Sequence, residues 1–145
     1  MLHEDLYLDL YDDVAPAAEY FQADSDKRNF MLETAIIAGL GFALLHFAKA
    51  FFAALGKAAG ENVAARAEAA FATAEARGER EAMLQGLALL TPHLAHLSAA
   101  DAAQRAVYAA TIRMALVAKG FTEDVAERTA EDMFSSILDA ARAAA

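Results

Sequence analysis

The chain has no cysteine, no tryptophan and only two prolines among its 145 residues. The absence of cysteine excludes disulfides, thiolate zinc sites and cysteine nucleophiles, and it is compatible with a reducing compartment. The sequence begins with Met-Leu-His-Glu-Asp, whereas a secretory signal needs basic residues followed by a continuous apolar run. We therefore expect a cytoplasmic protein, and the apolar stretch described below leaves membrane association open.

Residues that favour β-strands are also scarce. The chain has five valines, four isoleucines and six threonines, but 40 alanines, and alanine is the strongest helix former. A length of 145 residues fits one domain. The composition predicts an all-α fold, built as a single bundle of about six helices over residues 1–145.

Basic residues are also few compared with acidic ones. Twenty-one acids stand against 12 bases, which gives a net charge of -9, so the chain should be repelled by nucleic acid phosphates and we expect no nucleic-acid partner. Residues 1–30 hold eight of the acids and two of the bases. Residues 1–25 are called the acidic segment below.

The acidic segment interleaves tyrosines with its acids. Its apolar residues show both a strand period, through Leu6, Leu8 and Leu10, and a helical one, through the Leu6–Leu10 and Tyr7–Tyr11 pairs, and we predict a helix. Such a helix can pack its leucine face on the bundle. Two functional alternatives are a docking segment for a basic partner and an intramolecular cover for an apolar helix.

A long apolar helix is predicted near residues 26–58. No acid lies between Glu33 and Glu61, and the stretch is apolar all round up to Leu45, whereas a weakly basic face begins at His46. One line of large side chains on this helix is the predicted interaction face. Its members are Ile36, Leu40, Leu44, Phe47, Phe51 and Leu55.

The same helix is long enough to cross a bilayer. Thr34 to Gly56 supplies 23 residues, and about twenty are needed. However, the flanking bases show no positive-inside bias, and no tyrosine or tryptophan belt accompanies them. Two interpretations therefore stay open: the buried central helix of a soluble bundle, or a segment that contacts a membrane or another subunit.

The remainder of the chain predicts amphipathic helices over 61–97, kinked or broken at Pro92, followed by a helical hairpin over 98–143. Proline removes a backbone donor and clashes with the preceding turn. The apolar stripe of residues 79–97 has helical spacing and consists of Met83, Leu87, Leu90, Leu94 and Leu97. Within the hairpin, Ser98 is predicted to cap the first helix with Asp101 as its capping-box partner, and Lys119-Gly120 to end it.

Few residues suggest catalytic or metal chemistry. His93 and His96 lie three residues apart, and with His46 they are weak candidates for a metal or haem site. The glycines of Gly39-Leu-Gly41 lie inside an apolar helix, which is the wrong context for a phosphate-binding loop. We expect no catalytic residues, no cofactor and no enzymatic activity.

The sequence thus predicts a non-enzymatic helical interaction protein. It would act through the hydrophobic helix 30–56, by self-association, by binding a protein partner or by inserting into a membrane. One alternative is a single-span or peripheral membrane protein with a soluble helical hairpin. The other is a metal- or haem-binding helical protein that uses its histidines.

Overall fold

Helices make up nearly all of residues 28–56 and 61–144, the part of the chain that the computed structural model describes. Within these ranges there is no strand, so the all-α prediction is confirmed there. The predicted helix of the acidic segment lies outside the described residues. The elements are α1 Arg28–Leu55, α2 Glu61–Arg77, α3 Arg80–Leu90, a 3-10 helix Thr91–Ala99, α4 Ala102–Ala118 and α5 Glu123–Ala144.

The apolar helix α1 packs mainly against α2 and α4. None of its residues from 34 to 45 is exposed, whereas Lys49, Ala53 and Ala54 beyond His46 are open to solvent. This division agrees with the helical wheel. Residues 34–45 have no charged side chain, and the weakly basic face begins at His46. Burial of this helix therefore organises the described part of the fold.

Glycine lets α1 approach α2 closely. A Cβ placed on Gly41 would lie 2.7 Å from the backbone nitrogen of Glu75 and 3.0 Å from the backbone oxygen of Phe71. On α3, a Cβ at Gly86 would meet the Phe71 ring at 2.5 Å. Helix backbones can come this near only where one of them carries no side chain.

The chain changes helix type near Pro92. Helix α3 ends at Leu90, and Pro92 lies in the first turn of the 3-10 helix, where its missing N–H is not required. All five residues of the apolar stripe from Met83 to Leu97 remain buried through this change. The 3-10 helix in turn packs against α5.

The hairpin of α4 and α5 begins with a different cap from the predicted one. Asp101 is the N-cap of α4, and its side chain accepts a hydrogen bond from the Gln104 backbone nitrogen at 2.8 Å. The Ser98 hydroxyl instead donates to the carbonyl of Ala95 at 2.7 Å. The prediction of Ser98 as the cap was wrong, because residues up to Ala99 still belong to the preceding 3-10 helix.

The turn of the hairpin has the predicted form. Gly120 has φ 103°, in the region that favours glycine, and the Phe121 nitrogen donates to the Leu116 carbonyl at 3.1 Å. Phe121 is then buried against the bundle. Thr122 precedes α5, and its hydroxyl accepts a long hydrogen bond from the Val125 nitrogen at 3.4 Å.

An aromatic cluster joins α1, α4 and α5 at the centre of the core. The Tyr108 ring stands edge-on to Phe47 at 5.4 Å and to Phe51 at 6.1 Å, and Phe134 of α5 lies 6.4 Å from Phe47. Burial raises the pKa of the Tyr108 hydroxyl, against the lowering effect of its hydrogen bond with the Gln104 side chain. The phenol therefore stays neutral in the folded protein near neutral pH.

Candidate interaction surface

The predicted interaction face of α1 is part of the core. Five of its six members are at most 1% exposed, and Leu55, at the end of the helix, is half-buried. The neighbouring helices are rich in alanine, yet they cover this face. Close approach at Gly41 and small buried residues such as Ala43 and Ala48 bring the neighbouring helices near enough to cover it.

Helix α1 also contains the one stretch in the described residues that is long and apolar enough to cross a membrane. This stretch, Thr34–Leu55, is near the N-terminus, and 61% of its most apolar window is buried inside the bundle. Core helices of soluble proteins have the same length and composition. The stretch is therefore compatible with a soluble bundle and with a membrane span.

The three histidines do not form a metal site in this fold. His46 packs edge-on against Phe42 at 4.6 Å, and His93 packs edge-on against Phe52 at 5.5 Å. His96 is exposed on the 3-10 helix. Among the described residues, no group of three or more histidine, aspartate or glutamate side chains is arranged to hold a metal ion.

One half-buried ion pair connects three helices. The Lys119 ammonium pairs with the Glu75 carboxylate of α2, and it also lies 4.8 Å from the centre of the Phe42 ring on α1. Each partner keeps roughly a quarter to a third of its side chain exposed. These contacts link the end of α4 to α1 and α2. The positive charge of Lys119 and the negative charge of Glu75 are paired with each other.

A shallow groove lies between α2 and α3. It has a volume of about 850 Å³ and is lined mainly by alanines and by exposed polar side chains such as Arg66, Glu79 and Gln85. Its lining contains no histidine, serine or tyrosine. The residues around it thus provide neither a nucleophile paired with a base nor an enclosed apolar pocket.

The outward side of α4 differs from these features because it is apolar and mostly exposed, although Ala110 and Val117 on it are half-buried. Val107 is 51% exposed and Met114 is 62% exposed, and no other large hydrophobic residue in the described ranges is classed as exposed. Seven apolar residues share this side, and no charged residue lies among them. This set, the α4 outer face, consists of Ala103, Ala106, Val107, Ala110, Met114, Val117 and Ala118.

The outward side of α5 shows what an ordinary solvated helix face looks like in the same protein. Its exposed residues include Glu127, Arg128, Glu131 and Asp132. An outward face without any charge is unusual for a helix on the surface of a soluble protein, which normally alternates apolar and polar sides. The α4 outer face is therefore the best candidate for a contact surface in the described part of the chain.

Helix α4 also has an unusual charge balance. Its two charged residues are Arg105 and Arg113, and it contains no acid, although the chain has a net charge of -9. Arg113 is half-buried beside the outer face on a helical wheel. Arg105 lies on the opposite, inward side, and its buried Nε has no hydrogen-bond partner among the described residues.

The α4 outer face has a signal in the sequence. Tyr108, Ile112 and Leu116 recur every four residues along α4, and all three are buried in the core. A second series through Val107 and Met114 has equally regular spacing. Periodicity alone does not show which of two apolar sides of a helix is covered.

Comparison of the chain with protein-family models, with curated proteins and with solved structures gives no match. The contacts, exposure and charge of the described residues are therefore the basis for a functional proposal.

Proposed function

We propose that the protein is a non-enzymatic helical interaction protein that binds a partner through the α4 outer face. The partner is an amphipathic helix with an apolar ridge and acidic flanks. The observation that supports this proposal is the exposure of Val107 and Met114 on a helix side without charges. Contiguous exposed apolar surface on a small protein commonly marks a contact site.

The spacing of the face favours a helical partner. Ala103, Val107, Ala110, Met114 and Val117 recur at intervals of four and three residues, which is the pattern along which two helices pack side by side. Ala103 and Ala110 lie about one helical turn before and after Val107 on this face, and their small side chains let a partner backbone approach closely. A groove-binding extended peptide would need an uncovered sheet edge or a deep cleft, and the described residues have neither at α4.

The charge of α4 favours an acidic partner. Arg113 borders the face, and no acid of α4 opposes a carboxylate that approaches it. Pairing across such a rim changes the rate and specificity of association more than its affinity. A basic helix of the same apolar pattern would meet Arg113 without any compensating acid on α4.

Partner binding is one of the three modes predicted for helix 30–56, and the proposal moves the contact from α1 to α4. In this proposal α1 is the central core helix, and it positions α4 through the contacts of Tyr108 with Phe47 and Phe51. A single bundle of about six helices, with the acidic segment included, is part of the same proposal. Self-association and membrane insertion are then distinguishable outcomes of its tests.

A second candidate function is that of a single-span or peripheral membrane protein. The observation that favours it is the length and apolar composition of Thr34–Leu55. It requires the bundle to open, since Leu40 and Leu44 are fully buried. Recovery of the full chain with lipid vesicles on a density gradient, rather than in the soluble fraction, would support it.

The proposed function is tested with a synthetic helical peptide of about three heptads, which has leucines on its ridge and glutamates on both flanks. Binding of the labelled peptide to the full chain is followed by fluorescence anisotropy. We expect the peptide to bind, and Met114→Glu to weaken binding by about tenfold or more, because a charge then lies at the centre of the apolar contact.

Two controls identify the surface and the role of charge. Ser135→Glu places the same charge on the exposed outward side of α5 and should leave binding unchanged. A peptide with lysines in place of the glutamates should bind more weakly than the acidic one. Equal binding of both peptides, or no effect of Met114→Glu, would contradict the proposal. Concentration-dependent dimerisation lost in Met114→Glu would identify a second copy as the partner.

A further inference from the structure

We propose that the acidic segment, residues 1–25 of this same chain, covers the α4 outer face and restricts access to it. This inference rests on the proposed function, because it names the ligand that occupies the proposed contact surface when no partner is bound. The segment lies outside the described residues. Its charge, its apolar residues and its point of attachment each support the assignment.

Charge is the first argument. The acidic segment contains seven acids and no lysine or arginine, whereas α4 contains two arginines and no acid. No other stretch of comparable length in the chain has so large an excess of acids over lysines and arginines. Arg105 lies on the inward side of α4, so Arg113 at the border of the α4 outer face is the cation of this helix that a docked carboxylate would meet.

The apolar residues of the segment are the second argument. Leu2, Leu6 and Leu10 recur every four residues, so that on the helix predicted from sequence they would lie on one side. From Leu2 to Leu10 such a ridge would span about 12 Å, and the α4 outer face from Ala103 to Val117 spans about 21 Å. The ridge thus fits within the face.

The point of attachment is the third argument. Gly39 of α1 lies against Phe121, since a Cβ at Gly39 would be 3.7 Å from its Cε1 atom, and Phe121 comes three residues after Ala118, the last residue of α4. The start of α1 at Arg28 is therefore about 16 Å along the helix from the end of α4. The 17 residues between Leu10 and Arg28 reach up to about 55 Å when extended. This is enough to place Leu10 anywhere along α4, whose length is about 26 Å.

A cover of this kind has a functional consequence. It presents the same chemistry as the proposed partner, an apolar ridge with acidic flanks, and it is attached to the protein. Its effective concentration at the face is therefore high, and a partner must displace it. Because the attraction includes exposed charges, raising the salt concentration should weaken the cover.

The test uses disulfide formation, which is simple here because the chain has no cysteine of its own. Leu10→Cys is combined with Met114→Cys in the full chain, at a concentration low enough to disfavour dimers. With oxidised glutathione as the oxidant, we expect an intramolecular disulfide that forms at least about tenfold faster than in the matched pair of Leu10→Cys with Ser135→Cys. Attachment raises the local thiol concentration at both positions, and docking raises it further only at α4.

The outcome is measured by non-reducing mass spectrometry and by circular dichroism, which reports whether each variant stays helical. Adding Arg113→Glu to the variant with Leu10→Cys and Met114→Cys should slow its disulfide formation. Raising the salt concentration should slow disulfide formation in the variant that keeps Arg113. Equal rates for the pairs with Met114→Cys and Ser135→Cys would overturn the inference. Exclusively intermolecular disulfides would also overturn it and would indicate a second copy on the face.

Failure of this inference can be separated from failure of the proposed function. Replacing Leu6 and Leu10 by glutamate removes the apolar ridge of the cover and leaves α4 intact. If the cover exists, the acidic helical peptide described above should bind this variant several-fold more tightly than the unmodified chain. If the peptide binds both equally, the face is a contact surface without a cover. If it binds neither, the proposed function itself is wrong.

Discussion

Single residues decide how closely the helices approach one another. The two glycines near the middle of α1 look alike in the sequence, but they have different surroundings. Gly41 faces the backbone of α2, whereas Gly39 faces the edge of the Phe121 ring at an ordinary contact distance. A methyl group added at these two positions should therefore have opposite effects.

We expect Gly41→Ala to reduce the free energy of unfolding by about 1–3 kcal/mol, because its Cβ would meet α2 backbone atoms that have no rotamer with which to move away. Gly39→Ala is the matched control. It should leave stability unchanged or raise it by up to about 1 kcal/mol, since alanine is the better helix former. Urea denaturation followed by circular dichroism measures both, and equal destabilisation would contradict this packing.

Individual elements are bounded by local chemistry. Gly78 has φ 63° and separates α2 from α3, Pro92 marks the change to the 3-10 helix, and Gly120 ends α4. Each of these signals acts through the backbone of its own few residues. The start of α4 was harder to locate because Ser98 and Asp101 are both good N-cap residues, and only the extent of the preceding 3-10 helix decides between them.

The cap gives a prediction for this element. Asp101→Ala should lower the free energy of unfolding by about 1 kcal/mol, because the Gln104 N–H at the start of α4 loses its acceptor. Ser98→Ala should change it by less than about 0.5 kcal/mol, since its hydroxyl only donates to a carbonyl within the 3-10 helix. Thermal unfolding of the two variants compares them directly. A larger loss for Ser98→Ala would favour the cap that we first predicted.

Two apolar helix sides in the described part of the molecule contrast with each other, since one is covered and the other is mostly exposed. The line through Leu44 on α1 is enclosed by the other helices, whereas the described residues leave most of the α4 outer face exposed. Substituting the same charged residue into each distinguishes a core from a contact surface. The comparison also tests the membrane alternative, which would require the α1 line to leave the bundle.

Leu44→Glu should unfold the protein or cost more than about 4 kcal/mol, because the carboxylate would be buried without a partner. Met114→Glu should cost less than about 1 kcal/mol, since 62% of that residue is already exposed. Far-ultraviolet circular dichroism and urea titration of both variants provide the measurement. A folded, stable Leu44→Glu variant would show that α1 is not the core of the protein in solution.

The sequence by itself determined the helical class, the breaks between helices and the two-part character of α1. All three depend on local properties: alanine content, the backbone preferences of glycine and proline, and the position of charges on one helix. The α1 line that was predicted to make contacts is buried in the described fold, and the exposure of the α4 outer face was not predicted. Burial depends on which other helices come near, and Gly41, Gly86 and Phe71, far apart in the sequence, set those distances only in the folded structure.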